Sequence, residues 1–458
     1  MPRSNFYIIL LTLLVYALTS GVTLQDRLLI STLHRLERTA YFEPSALNLF
    51  EGAMSGMTDV LADDYGDHYT RYIPPSHQSG YQDNLDNQYE GLGFLTRIHE
   101  ADGKKQLFIG YPHYNAPAHR AGLRSGDQVV QIDNTTIAEQ SNSEILELLR
   151  RQPETHLSVL PFGQTDPKNF VVLREKIRLD SVEGDYFDSD KRVFHLEAHP
   201  KIGYIRITSF SPTTAKEFGD ALDSMMQSGV ESFILDLRNN SGGDVSSCVQ
   251  VAQMLMSPTA DQNVFVTVRP RRGFEHNRTL TQGTQRCTLP MVVLIDGETA
   301  SASEILAAAL QDHRRATIVG TRSFGKGVIQ NIIELPFQSG LLQLTVAEYR
   351  RPSGAGIHRR VNAADADDWG VLPDRVVEVS ESERSAILQY RLLRSNLISA
   401  EHSAVLERFR QQIAEKQNGG KEGDALESKP LKFTGAAPYY DVQLDEAVRV
   451  LLGGDPPY

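Results

Sequence analysis

Several scarcities narrow what this chain can be. Its 458 residues include two cysteines, Cys248 and Cys287, too few for a disulfide-dense scaffold or a cysteine-rich zinc site. In an oxidising compartment they could pair; as two separate buried thiols they would need no partner. The 13 histidines are scattered, with no H-E-x-x-H or similar spacing, so no metal and no cofactor is expected. Lys and Arg (46) are outnumbered by Asp and Glu (58), for a net charge of -12. No basic face is left to neutralise phosphates, which excludes nucleic acid as an expected partner. Apolar runs of membrane-spanning length are also missing. The nearest is Phe6 to Val15, preceded by Arg3 and followed by Ala17, Thr19, Ser20 and Gly21. It is short for a span and fits a secretory signal over residues 1–21, with a short membrane anchor as the rival reading. The expected location is therefore periplasmic or otherwise extracytoplasmic.

What remains is ordinary globular composition, 40% apolar and 23% charged, in a chain too long for one core. The stretch Met291 to Gln330 organises it. Met291-Val-Val-Leu-Ile295 reads as a buried strand, Asp296-Gly-Glu-Thr299 as a turn, and Ala300 to Leu310 as a helix. A serine where a buried strand turns into a helix sits near N–H groups that no helical carbonyl has claimed. Further on, Lys326 stands between Gly325 and Gly327. A serine and a lysine on adjoining elements of one sheet could form a nucleophile and its base. Two plainer readings compete. Ser301 and Glu304 fit a helix-starting S-x-x-E box. Gly320 to Gly327 nearly spells a phosphate loop, but Gly327 stands where Ser or Thr should hold magnesium, and Val328 to Leu335 reads as a strand.

Helical spacing predicts Leu24 to Arg38 and a second helix after Pro44 carrying Leu47, Phe50, Met54, Met57 and Leu61. From Tyr89 short strands follow, with Gly91-Leu92-Gly93-Phe94, Ala121-Gly-Leu-Arg-Ser-Gly-Asp127, the strand Gln128 to Asp133, and a helix around Ser143 to Arg151. This stretch resembles a PDZ domain. The resemblance implies that Gly91, Leu92, Gly93 and Phe94 hold a substrate's carboxyl terminus. Glycines 91 and 93 would let successive N–H groups converge on a carboxylate, and a peptide could pair with the strand from Phe94. Beyond Leu179, strands Gly203 to Phe210, Ser232 to Leu237 and Val264 to Val268 alternate with helices Ala215 to Gln227 and one bearing Val249 and Met254. That alternation predicts a mixed α/β sheet with sites at strand ends. Residues Glu381 to Lys416 and about Val442 to Leu452 read as helices of an accessory region for packing or oligomerisation, with no catalytic pattern.

Asp236-Leu-Arg-Asn-Asn-Ser-Gly-Gly243, Thr299-Ala-Ser-Ala-Ser-Glu-Ile305, Ala309-Leu-Gln-Asp312, Ser323-Phe-Gly-Lys-Gly-Val-Ile-Gln330 and Leu372-Pro-Asp374 together resemble the carboxyl-terminal processing peptidases, or tail-specific proteases. The family's motif has Pro where Ser241 stands, and Asn and Gly-Ser where Asp296 and Glu298-Thr299 stand. The resemblance implies a mixed α+β fold with a crotonase/ClpP-like catalytic core. It implies an amino-terminal helical segment packing on that core (22–88), an inserted PDZ domain (89–177), the peptidase core (178–380) and a helical carboxyl-terminal region (381–458). It also implies Ser301 as nucleophile, Lys326 as general base, Gln330 as the residue orienting the lysine, and an oxyanion hole from Ala302 with Gly242 or Gly243. Ser303 is the runner-up nucleophile. The implied partners are protein substrates with accessible, apolar carboxyl-terminal tails; a homo-oligomer or an adaptor is left open. The competing class is a non-catalytic tail-binding scaffold or apolar-ligand carrier, which would be expected to lose Ser301, Lys326 or Gln330.

A lysine can take a serine's proton only when neutral. Its ordinary value of about 10.4 must then fall by several units, on the order of 4 to 5 kcal/mol of protonation preference, which burial can supply. If Lys326 and Gln330 share a strand, their side chains point to one face.

Overall fold

The computed structural model describes residues 23–101, 103–188, 191–257, 263–280, 285–364, 367–394 and 441–453. The expected signal or anchor lies outside the described residues, as does the helix expected between residues 395 and 416. The chain divides into two compact units, residues 1–78 with 330–346 and residues 79–329 with 347–458.

In the first unit the two expected helices run Leu24–Thr39 and Ala46–Tyr65. Thr23 and Asp26 close a capping box on the first, Ser45 caps the second, and Gly66 ends it at φ +70°. Arg71–Ile73 then pairs antiparallel with Leu341, Leu342 and Gln343. Among the described residues no helix is long and apolar enough to cross a membrane.

The second unit begins with a small antiparallel sheet in the order 94–101, 104–112, 128–132, 154–160, 168–173. Its helix Asn142–Arg151 starts in a Ser141–Glu144 capping box and buries Ile145, Leu148 and Leu149, the residues read as its apolar side. They share a core with Leu92, Leu107, Ile109 and Val159. Gly93 has φ +86°, and a Cβ there would stand 2.5 Å from that of Ala116, so only glycine fits. The strand from Phe94 lies at the sheet's edge.

The larger sheet follows chain order: β1 (Val182–Glu183), β2 (Ile202–Ile207), β3 (Ser232–Asp236), β4 (Met291–Ile295), β5 (Thr317–Gly320) and β6 (Arg375–Val376). β1 pairs antiparallel with β2, and every later pair is parallel. β3 and β4 are buried at every residue, which is why they read as continuous apolar runs. Parallel neighbours require crossovers, and those from β2 to β3, β3 to β4 and β4 to β5 are supplied by helices α1 (Thr214–Gln227), α2 (Val245–Leu255) and α3 (Ala302–Asp312). Met225 of α1 packs where a side chain at Gly203 would stand, so α1 lies on the face of Gly203. Residues of the opposite parity, Ile202, Tyr204, Ile234, Val292, Leu294 and Val319, form a core with Ala447 and Val448. Among the described residues two helices follow the sheet, α4 (Glu381–Arg394) and α5 (Val442–Leu451), and α5 thus covers the second face. The fold is mixed α/β, as expected. Both cysteines are buried free thiols.

Candidate active site

The loops that follow β3, β4 and β5 meet at the carboxyl ends of these parallel strands, where open α/β sheets place their sites. After β4, Asp296 staples two loops together. Its Oδ1 accepts the N–H groups of Asn239 (2.9 Å), Glu298 (3.1 Å) and Thr299 (3.1 Å). Thr299 in turn donates its hydroxyl to the Leu237 carbonyl (2.9 Å). The chain then reaches Ser301 at φ 56°, ψ -118°, a left-handed backbone that is uncommon for a residue with a side chain. The helix begins at Ala302, two residues later than its composition predicts, because Ser301 occupies this turn. Ser301 is half-buried. Ser303 is fully buried, and its hydroxyl has no hydrogen-bond partner among the described residues.

Beside this turn runs the loop from β3. A Cβ on Gly242 (φ +97°) would come within 2.8 Å of Ser301 Cβ and 2.9 Å of the Ala302 nitrogen. Gly243 (φ +132°) presses on the Phe210 carbonyl where its own Cβ would be. The Gly242 N–H donates to Asn240 Oδ1 at 2.9 Å. Among the described residues the N–H groups of Gly243 and Ala302 have no acceptor. Of the two glycines left open as donors, Gly243 is therefore the one with an unengaged amide. Gly243→Ala should drive the new methyl into Phe210 and lower peptide cleavage by about 10²-fold or more, the usual effect of losing one oxyanion donor. Gly229→Ala is the control for positive φ alone, since φ there is +74° with open space around it; steady-state kinetics of both variants checks this.

Lys326 lies in the loop after β5, which runs extended and irregular from Thr321 to Gly327. Five of its seven N–H groups and two of its carbonyls are hydrogen-bonded. Ser323 N–H donates to the Val371 carbonyl (3.1 Å) and Phe324 N–H to that of Thr299 (3.0 Å). The Gly325 and Gly327 carbonyls accept from Arg359 (2.9 Å) and Tyr349 (2.7 Å). Trp369 carries the guanidinium groups of Arg322 (4.2 Å) and Arg359 (4.5 Å) over its ring and lies against Gly325. The loop leads into a strand, Val328–Glu334, not a helix, so it is no phosphate loop. Lys326 itself is half-buried. It precedes that strand, so the alternation that was to align it with Gln330 does not reach it. In the first unit, Gln330 donates Nε2 to Thr345 Oγ1 (3.3 Å), and Thr345 donates to Asp67 (2.9 Å).

One carboxylate joins the serine turn to the lysine loop. Glu304, fully buried on the first turn of α3, accepts the Ser301 N–H (2.8 Å) and the Lys326 N–H (2.8 Å) on the same oxygen, Oε2. The two backbone nitrogens are thus within twice that distance of each other. Its other oxygen accepts the Gly325 N–H (2.6 Å) and the Ser323 hydroxyl (2.6 Å). Burial pushes the Glu304 carboxyl up to about 7, against the pull of these four donors. The S-x-x-E pattern marks Glu304 as a helix cap, and it does reach back to Ser301; its second role needs the lysine loop beside it. No group of residues suited to holding a metal occurs among the described residues.

A serine on a strained strand-to-helix turn, flanked by unengaged amides and a braced lysine, defines a serine-type peptidase. The pattern of Peptidase family S41 matches residues 201–377 and that of the PDZ domain residues 108–160. The chain belongs to the carboxyl-terminal processing proteases of that family. It is 34% identical over 312 residues to the carboxyl-terminal-processing protease of Synechocystis, covering 68% of this chain and 67% of that protein. It is 30% identical over 424 residues to the carboxy-terminal-processing protease of Bartonella bacilliformis, covering 91% and 86%. A solved structure of a putative S41 protease from Bacteroides fragilis shares the fold, with a TM-score of 0.51 at 17% identity over 79% of this chain and 90% of that one.

Proposed function

We propose that this protease is exported and cleaves proteins selected by their carboxyl-terminal tails, with Ser301 as nucleophile and Lys326 as general base. The observation that carries the reading is the bridge of Glu304, which fixes the backbones of both residues from one buried point. The neutral Lys326 amine takes the Ser301 hydroxyl proton as Oγ bonds to the scissile carbonyl carbon. The Gly243 and Ala302 N–H groups receive the developing oxyanion. The lysine's proton then passes to the leaving amine as the peptide bond breaks, and water hydrolyses the acyl-enzyme by the same steps. Gln330 takes the orienting role by its match to the family motif, and an uncharged amide there avoids raising the lysine's value. The PDZ domain offers a tail the edge strand from Phe94 and the glycine turn before it. Export rests on residues 1–21.

The test is to incubate the purified protein with one unfolded substrate, intact and lacking its last few residues. Tail-dependent degradation is expected. Equal rates on both substrates would remove the tail-recognition part, and no cleavage of either would favour a carrier.

A further inference from the structure

The carboxyl-terminal region carries no catalytic pattern, yet its last helix reaches the site. Arg238, the residue with which the oxyanion loop begins, is enclosed at 5% exposure. It donates from Nε to both oxygens of Asp236 (3.0 and 3.2 Å) and from Nη2 to Asp236 Oδ2 (2.7 Å). Its outer edge is held by Asp441, the N-cap of α5, and by Gln443 in the first turn of that helix. Nη1 donates to Asp441 Oδ1 (2.9 Å) and to Gln443 Oε1 (3.1 Å), and Nη2 donates to Asp441 Oδ2 (3.0 Å). Asp236 and Asp441 are themselves buried. Tyr204 donates its hydroxyl to Asp236 (2.7 Å), and Arg391 of α4 lies 3.7 Å from Asp441.

We propose that Asp441 is a positioning residue for catalysis, acting through Arg238 on the loop that presents the Gly243 amide. The inference rests on the reading of Gly243 as an oxyanion donor. Between Arg238 and Gly243 three residues hold left-handed backbone, Asn239 (φ +58°), Gly242 and Gly243. Such a loop persists only where its surroundings over-determine it. Its middle is tied down by Asp296 at Asn239 and by Asn240, which donates Nδ2 to the Ile207 carbonyl (2.8 Å) and accepts the Ala300 N–H on its own carbonyl (2.9 Å). Its far end rests on Phe210. Arg238 anchors its near end; Asp236 still pairs with it when Asp441 is neutralised, but the buried cluster that also holds Arg391 then lacks one compensating negative charge. The Arg238 side chain can then recover partners only by moving, and the backbone it carries moves with it. Burial raises a carboxyl and the Arg238 guanidinium lowers it; at Asp441 the guanidinium prevails and the group is held below the usual range.

Asp441→Asn is the variant of choice because Asn serves equally well as an N-cap, and Asp441 also accepts the Leu444 N–H (3.0 Å) at the start of α5. Val448→Ala is its counterpart, weakening the apolar seat of α5 without touching Arg238. Steady-state kinetics, thermal melting and amide hydrogen exchange over residues 238–243 are measured on the full chain. Asp441→Asn should lower kcat by about 10-fold or more with KM within roughly twofold, as expected for a disturbed oxyanion donor. Exchange over 238–243 should quicken. Val448→Ala, at an equal or larger loss of melting temperature, should keep its kcat. Wild-type kcat and wild-type exchange in Asp441→Asn would overturn the proposal, as would an equal loss of kcat in Val448→Ala. A wild-type protein that cleaves nothing would defeat the proposed function alone, and the exchange arm would still decide the role of Asp441.

Discussion

Replacing Ser301 by Ala is expected to reduce peptide cleavage by about 10⁶-fold, the scale seen when a serine nucleophile is removed, while tail binding stays at its wild-type affinity. The separation follows from the fold. The PDZ-type core of Leu92, Leu107, Ile109 and Ile145 shares no residue with the turn at Ser301. A binding assay with a labelled tail peptide beside a turnover assay reads both. Ser303→Ala is the companion variant. Its hydroxyl is fully buried under the turn, so the change should leave most of the activity. The reverse outcome, an active Ser301→Ala and a dead Ser303→Ala, would reassign the nucleophile. Lys326→Ala should be as silent as Ser301→Ala at every pH, since a missing base cannot be restored by titration.

Glu304→Gln is expected to lower kcat by about 10²-fold, the scale associated with an ångström-sized displacement of reacting groups, with KM little changed. All four partners of the carboxylate are donors. An amide keeps one acceptor oxygen and turns its NH2 toward two of them. Each buried group left unpaired costs about 1 to 3 kcal/mol, so a stability loss accompanies the loss of rate. The pH dependence distinguishes this from mere misfolding. With the Glu304 carboxyl raised to about 7 in the folded chain from 4.5, the native protein holds a proton that the unfolded chain has already released. Its contribution to stability is therefore fully present below the unfolded value and falls as pH rises through about 7, by on the order of 3 kcal/mol. The ionised form is the one that satisfies four donors, so activity should rise over the same interval. Denaturant melts of both proteins at pH 5 and pH 8 should show the wild-type advantage shrinking with pH. An advantage that grows would refute this assignment.

Local order was legible because each element announces itself nearby. Met291 to Ile295 is apolar throughout and proves buried on both faces. Ser141 and Glu144 cap the helix whose apolar side was read from its spacing. At the site, legibility stopped where partners are distant in sequence. The S-x-x-E pattern points to the bond between Glu304 and Ser301, three residues apart. The bond from Glu304 to Lys326 spans 22 residues and a strand, and nothing local encodes it. Gly242 and Gly243 look equivalent as donors until the Asn240 side chain engages one of them. The tie between Arg238 and Asp441 crosses 203 residues. A charged pair so far apart leaves no periodicity to read.

The chain has a single tryptophan, and Trp369 stacks with two guanidiniums and lies against Gly325. Its indole is thus a built-in optical probe seated one residue from the lysine. Emission excited in the far red edge of the indole band arises from this site alone, free of any second indole. Displacement of the segment that carries the amine can then be followed in the unlabelled, unmutated enzyme, on the time base of stopped flow, separately from the appearance of product.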